Sequence, residues 1–380
     1  MRGGVSGDAS DGITSGVADG VAAGTKRCVV AIPGRGAVTN AASRYLPVRH
    51  IPVDDGWGVD PAEEARGLKT ILKPDVTRQI ITRNASPDVP FTQSINPYKG
   101  CEHGCVYCFA RPTHAYLDLS PGLDFETRLF FKTNVRSRLE TELSRPRYQP
   151  SPIALGTNTD PYQPVERQQR ITRDILEVLL EARHPVTLVT KGQGVLRDLD
   201  LWAELARLGL AQVNISVTTL DRTLKHRLEP RTAEPGARLR TIRTLAAAGI
   251  PVGVMVAPVI PFINDEEMEA ILAAAADAGA STAGYILLRL PLEVRELFQE
   301  WLDTHYPDRK ARVISAMRAS RGGDLYRAKF GERMRGTGPF AELFRRRFAI
   351  ACNKHGLNKE PKTGLRTDLF RRPRGQQLLF

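Results

Sequence analysis

From residue 91 onward, short apolar runs alternate with longer stretches in which apolar residues recur every three or four positions. The runs at 91–95, 153–155, 186–189, 213–217, 252–257 and 283–288 have the length and content of strands. The stretches at 171–182, 198–208, 237–248, 266–278 and 292–306 carry the helical period. Strand followed by helix, repeated, predicts an α/β fold, because parallel strands need a crossover element to bring the chain back. Such units place functional groups at the carboxyl ends of the strands. The longest apolar run, 245–263, is interrupted by Gly249, Pro251, Gly253, Pro258 and Pro261. It predicts a helix end, a tight turn and a buried strand, and no membrane anchor.

The flanks behave differently. The first 25 residues are mainly Gly, Ala, Ser, Asp and Val without periodicity, so residues 1–33 are expected to form a disordered extension. They lack the basic start and apolar stretch of a signal peptide, and the expected location is cytoplasmic. Residues 34–90, with Pro and Asp clusters, are expected to wrap the domain at 91–308. A basic region at 309–370 and a flexible tail at 371–380 complete the division.

With 380 residues, 42% hydrophobic and 25% charged, the chain has material for one large domain plus appendages. The net charge is +12, yet residues 309–380 hold 19 Lys or Arg against 5 Asp or Glu, so the basic character belongs to the tail. This asymmetry suits contact with a polyanion such as nucleic acid; a solvated surface is the other reading.

The densest candidate chemistry is Cys101-Glu102-His103-Gly104-Cys105-Val106-Tyr107-Cys108. A C-x3-C-x2-C loop supplies three thiolates, enough for three irons of a four-iron cluster, and leaves the fourth open. A structural zinc site needs a fourth ligand, which His103 or His114 could supply. Five cysteines, an odd number, disfavour a disulfide framework. Cys28 and Cys352 lie far from the loop and receive no role.

The stretch from Asn96 to Arg111, with an aromatic just before the third cysteine, resembles the cluster loop of radical S-adenosylmethionine (SAM) enzymes. Thr159-Asp160-Pro161, Thr190-Lys191, Ile215-Ser216-Val217, Glu229-Pro230-Arg231 and Val256-Ala257-Pro258-Val259-Ile260-Pro261 resemble the spore photoproduct lyase-like branch. The likeness spans roughly 94–308. It implies a partial (β/α)6 TIM-like barrel, with a flexible N-terminal extension and a basic C-terminal region attached.

It further implies that Cys101, Cys105 and Cys108 bind a 4Fe-4S cluster whose open iron is chelated by S-adenosyl-L-methionine. An electron donor such as flavodoxin or ferredoxin would drive reductive cleavage to a 5′-deoxyadenosyl radical. Tyr107 would lie beside adenine, with plain loop packing as its other role. Thr159 and Asp160 would fall where the methionyl amine is handled, although Asp before Pro is also a common turn former. Lys191 would meet the methionyl carboxylate or ribose, and Ser216 adds polarity to an apolar strand. Arg231 joins this set, unless it simply pairs with Glu229 or Glu234.

One departure bears on substrate. The branch returns hydrogen to product from a cysteine near the end of the second strand, where this chain reads Gly156-Thr157-Asn158. A threonine O–H bond is too strong to replace a thiol, so a lyase-like enzyme other than a standard spore photoproduct lyase is expected. The expected substrate is nucleic acid, in DNA repair or modification. The alternatives are a radical enzyme acting on a protein or small metabolite, and a cluster- or zinc-bearing nucleic-acid-binding protein without turnover. Finally, Gln376-Gln377-Leu378-Leu379-Phe380 resembles peptides that insert into the DNA sliding clamp, with Gln376, Leu379 and Phe380 matching and Gln377 departing from the usual leucine. Packing of this terminus on its own domain is the other reading.

Overall fold

A computed structural model describes residues 31–45, 68–360 and 364–373. Expectations for residues 1–30 with Cys28, and for the Gln376, Leu379 and Phe380 motif, lie outside the described residues.

Among the described residues, ten strands form two sheets. β1 (Ile71–Asp75), β4 (Tyr98–Lys99) and β5 (Arg128–Lys132) make a small sheet in the order β1-β5-β4. The large sheet contains β2 (Thr82–Arg83), β3 (Gln93–Ile95), β6 (Ile153–Leu155), β7 (Val186–Thr190), β8 (Ala211–Ser216), β9 (Val252–Val259) and β10 (Thr282–Leu287). From β3 to β10 its strands pair in parallel and in chain order, and β2 adds antiparallel at one edge. The six strands expected from apolar runs are the six parallel strands. Sequential order means that each crossover advances one slot in the same direction, which leaves β2 and β10 as opposite edges.

The helices used below are α1 (Val135–Leu143), α2 (Ile171–Glu181), α3 (Leu199–Arg207), α4 (Arg222–Leu228), α5 (Pro235–Ala247), α6 (Met268–Asp277), α7 (Val294–His305), α8 (Pro307–Ala319) and α9 (Gly338–His355). In α2, Ile171, Ile175, Leu176, Val178 and Leu179 bury one stripe against the sheet, as the period of the sequence requires. The helix expected at 198–208 begins with a 3₁₀ turn over Gln193–Asp198.

Helix-to-strand turns repeat one device. After α3, α5 and α6, Gly209, Gly249 and Gly279 take positive φ, and the next residue donates five positions back: Leu210 to Leu205, Ile250 to Leu245 and Ala280 to Ala275. Positive φ at the second residue past a helix closes the last carbonyls and starts the next strand in a fixed direction.

The main core runs through β3, β6 to β10 and α2, α3, α5 and α6, and continues into Phe344, Phe348, Ala351 and Cys352 of α9. The basic C-terminal region therefore packs on the same core as the sheet. A second core joins Cys105, Val106 and Tyr107 to Leu224, Leu228, Ile260, Leu288, Phe298 and Trp301. No helix among the described residues is long and apolar enough to cross a membrane.

The segment between α8 and α9 acts as a strap between the two edges. Buried Arg321 donates to the carbonyls of Leu287 and Leu288 at one edge and to those of Glu332 and Arg333 within the strap. Leu287 N–H donates to Met334 O at 2.9 Å. At the other edge, Arg333 pairs with Asp88 and donates to Ser86, and Gly331 N–H donates to Asp88 at 2.7 Å. Asp88 lies five residues before β3.

Candidate active site

The three-cysteine loop leaves β4 and is held mainly by backbone polar groups. Cys101 N–H donates to Phe125 O at 2.9 Å, Val106 N–H to Leu228 O at 3.1 Å, and Cys108 N–H to Cys105 O at 3.2 Å. Arg111, wholly buried, donates to the carbonyls of Gly104, Cys105, Pro121 and Gly122, and pairs with buried Glu126. Glu126 also accepts from the N–H groups of Gly36 and Ala37 at 3.0 and 2.8 Å. The N-terminal segment thus lies directly on the loop: a Cβ at Gly36 would come within 1.7 Å of Gly104 O.

Cys101 and Cys105 are buried, Cys108 is partly so, and all three are free thiols. Burial pushes each thiol up in pKa; Asp160, Cys105 and Cys108 add to the effect at Cys101, and Glu229 adds at Cys105. Three mutually repelling sulfurs in one short loop are costly as thiolates unless cations meet them. Among the described residues, no three His, Cys, Asp or Glu side chains meet closely enough for a single metal ion. A zinc ion needs its ligands to converge on one centre, whereas a four-iron cluster takes thiolates on separate irons. His103 instead pairs with Asp160 at 3.3 Å, and His114 contacts Arg128 O at 2.9 Å. The donor set fits a cluster.

Tyr107 joins the loop to the strand exits. Its hydroxyl donates to Glu229, which also accepts from Thr218 at 2.6 Å, pairs with Arg238, and lies 3.7 Å from Lys191 Nζ. Burial alone would raise the Glu229 pKa, but Arg238 and Lys191 overcome it and hold the carboxyl at about 2. Lys191 Nζ also donates to Ala257 O at 3.4 Å and stands 5.9 Å from the Tyr107 ring centre.

Asp160 occupies the turn after β6. Its carboxylate accepts from Tyr162 N–H at 2.8 Å, Thr190 Oγ1 at 2.7 Å and Lys191 N–H at 2.7 Å. Burial opposes its charge, yet His103 and these hydrogen bonds keep its pKa below the usual range. Thr159 is buried and donates to Tyr98 O at 3.0 Å. Ser216, also buried, ends β8, and its carbonyl accepts from Arg238 at 3.0 Å. Arg231 reaches Glu102 at 3.3 Å, a partner that sequence reasoning did not name, and its N–H donates to His103 O.

Tyr107, Lys191 and the Ser216 strand end therefore surround Glu229, while Thr159 and Asp160 brace the neighbouring turn and Arg231 borders the loop. Sequence reasoning assigned no role to Glu229, Arg238, Arg111 or Glu126. One signal was present for Arg238: it falls on the buried stripe of α5 with Thr241, Ile242 and Leu245, where an unpaired charge would be costly. Asn96 braces the turn after β6. Its side chain accepts from Asn158 and Thr159 N–H and donates to Thr157 Oγ1.

Residues 95–275 match the family model described as the radical SAM superfamily. Uncharacterized proteins of Mycobacterium bovis and Mycobacterium tuberculosis are 37% identical over 278 residues, covering 70% of this chain and 82% of theirs. An uncharacterized protein of Methanocaldococcus jannaschii is 26% identical over 214 residues, covering 56% and 76%. A solved spore photoproduct lyase complexed with dinucleoside spore photoproduct shares the fold, with a TM-score of 0.58 at 17% identity, covering 82% of this chain and 86% of that one.

Proposed function

We propose that this chain, which belongs to the radical SAM superfamily, carries a 4Fe-4S cluster on Cys101, Cys105 and Cys108 and uses S-adenosyl-L-methionine to act on nucleic acid. The carrying observation is the set of three free thiols in one loop, two buried and one partly so, set beside the Tyr107, Glu229 and Lys191 network. When bound, the cluster and S-adenosyl-L-methionine supply a 5′-deoxyadenosyl radical; the protein supplies position and exclusion of water.

In this reading the parallel run from β3 to β10 is a partial (β/α)6 barrel whose open side the strap spans. Tyr107 offers a ring face for adenine, held in place by its hydroxyl bond to Glu229. Lys191 is half committed to Glu229 and retains capacity for the methionyl carboxylate or ribose. Asp160 has its carboxylate filled by His103, Thr190 and the Lys191 N–H, so it positions the turn on which Thr159 and the methionyl amine meet. Ser216 lines the β8 end, and Arg231 with Glu102 closes the loop's outer side.

A nucleic-acid substrate is supported by the charge of residues 309–380 and by the fold shared with a lyase solved with a dinucleoside photoproduct. Anaerobic reconstitution tests the cofactor reading: iron and sulfide near four each per chain, and 5′-deoxyadenosine formed on reduction. Cys105→Ala should lose both; retention of a full cluster and turnover would overturn the assignment. Capture of crosslinked nucleic acid by the reconstituted protein tests the substrate class.

Thr157 stands in the segment where the branch places its hydrogen-returning cysteine, and its hydroxyl accepts from Asn96 at 3.4 Å. With no thiol there, the purified protein should leave spore photoproduct unrepaired. Efficient repair would contradict this reading.

A further inference from the structure

A cleft of about 420 Å³ opens between Tyr285 of β10, the end of the strap and the start of α9. Tyr285 lines it. Tyr285 is 3% exposed, and its hydroxyl has no hydrogen-bond partner among the described residues. Buried polar atoms almost always have a partner, so an orphan hydroxyl at a cleft wall marks a place where something else completes the bond. Burial raises the Tyr285 pKa, which keeps the proton available for donation.

The other walls agree in sign. The Arg335 guanidinium lies over the Tyr285 ring, 5.2 Å from its centre, and makes no ion pair among the described residues. The first turn of the 18-residue helix α9 faces the same cleft, with no side-chain cap and no acidic residue in that turn. Pro339 has no N–H and the Thr337 N–H donates to Ser320 O, so those of Gly338 and Phe340 lack acceptors within the helix and carry the positive end of its dipole. Glu342 also borders the cleft, but its carboxylate is taken up by Arg345 and Arg346.

We infer that this cleft is a phosphate-binding site, in which the Tyr285 hydroxyl, the Arg335 guanidinium and the first-turn N–H groups of α9 hold one phosphate group. A helix start with a free guanidinium and a hydroxyl donor matches the chemistry of a phosphate oxygen set. The site stands independently of the thiol loop, and β10 connects the two. Arg289, four residues beyond Tyr285, stacks 4.7 Å from the ring centre of Phe109, the residue after Cys108. A phosphodiester seated in the cleft would flank the strapped side of the sheet; free phosphate or a mononucleotide is the other source of the same group.

Titration of the full-length protein with inorganic phosphate, and separately with a short oligothymidylate lacking terminal phosphates, tests this at low salt. Tyr285→Phe keeps the ring and removes only the orphan hydroxyl, so its melting temperature should be equal to or above that of the unaltered protein. It and Arg335→Gln should each weaken binding about tenfold, the scale of one hydrogen bond to a charged group. Weakening with both probes, or with the oligothymidylate alone, identifies a nucleic-acid backbone; weakening with inorganic phosphate alone identifies a free phosphate. Unchanged affinity in both variants would overturn the site. So would weakening in Arg335→Gln only, which would reduce the cleft to surface charge. Formation of 5′-deoxyadenosine should be unaffected in either variant, so the two readings fail separately.

Discussion

The hydroxyl of Tyr107, between the second and third cysteines of the loop, donates to the carboxylate of Glu229, 122 positions further along the chain. Glu229 in turn faces Arg238 and Lys191, so one buried carboxylate joins the thiol loop to the exit of β7 and to α5. The three-cysteine loop and the side chains at the strand exits are parts of one polar network.

Glu229→Gln should therefore destabilise the protein by about 3–5 kcal/mol, because Arg238 is left buried without its counter-charge. The unaltered protein should also lose stability in acid through this group. With a folded pKa of about 2 against an ordinary 4.5, its contribution is present above pH 4.5 and fades as the pH falls towards 2. Urea melts at neutral pH and near pH 3 measure both effects, and the drop between them should be smaller in the variant.

Arg111→Lys keeps the charge but loses the planar fork that reaches four carbonyls and Glu126 at once. A loss of about 2–4 kcal/mol is expected, since several charge-assisted bonds go together. Reconstituted protein should also release iron faster, because these carbonyls belong to the loop and its support. Denaturant midpoints and iron release into a chelator are the measurements.

The arginine run in α9 should divide by function. Arg345 and Arg346 share Glu342 on an exposed surface, whereas Arg347 clamps Glu269 at 2.7 Å and helps dock α9 on α6. Replacing Arg345 and Arg346 with Gln should lower nucleic-acid affinity and reduce the slope of log affinity against log salt by about one to two. Arg347→Gln should mainly lower the melting temperature. Filter binding across a salt series, with thermal melts of each variant, separates the two roles.

A peptide carrying Gln376-Gln377-Leu378-Leu379-Phe380 should bind a bacterial DNA sliding clamp in the micromolar range, at roughly −8 kcal/mol. Replacing Leu379 and Phe380 with Ala should abolish binding, because those side chains supply the apolar anchors. Calorimetry with peptide and with whole protein measures this, and absence of binding by both would remove clamp tethering from the account.

The sequence by itself determined the parts whose cause is local. Apolar spacing located the six parallel strands and the helices between them, since burial of one stripe or one short run is a property of neighbouring residues. Three thiols within eight residues are likewise a local pattern, and they sufficed to single out the loop. Only the tertiary structure decided the rest. The small sheet was illegible because β1 and β5 lie 57 residues apart in register and β1 is half exposed, so no alternation marks it. Docking of α9 on the main core was hidden behind its arginines, although Phe344 and Phe348 carry it. No local pattern in the sequence marks Glu229 and Arg238, or Arg111 and Glu126, as partners. Burial made them partners, and a charge is stable inside a protein only where folding brings its opposite within reach.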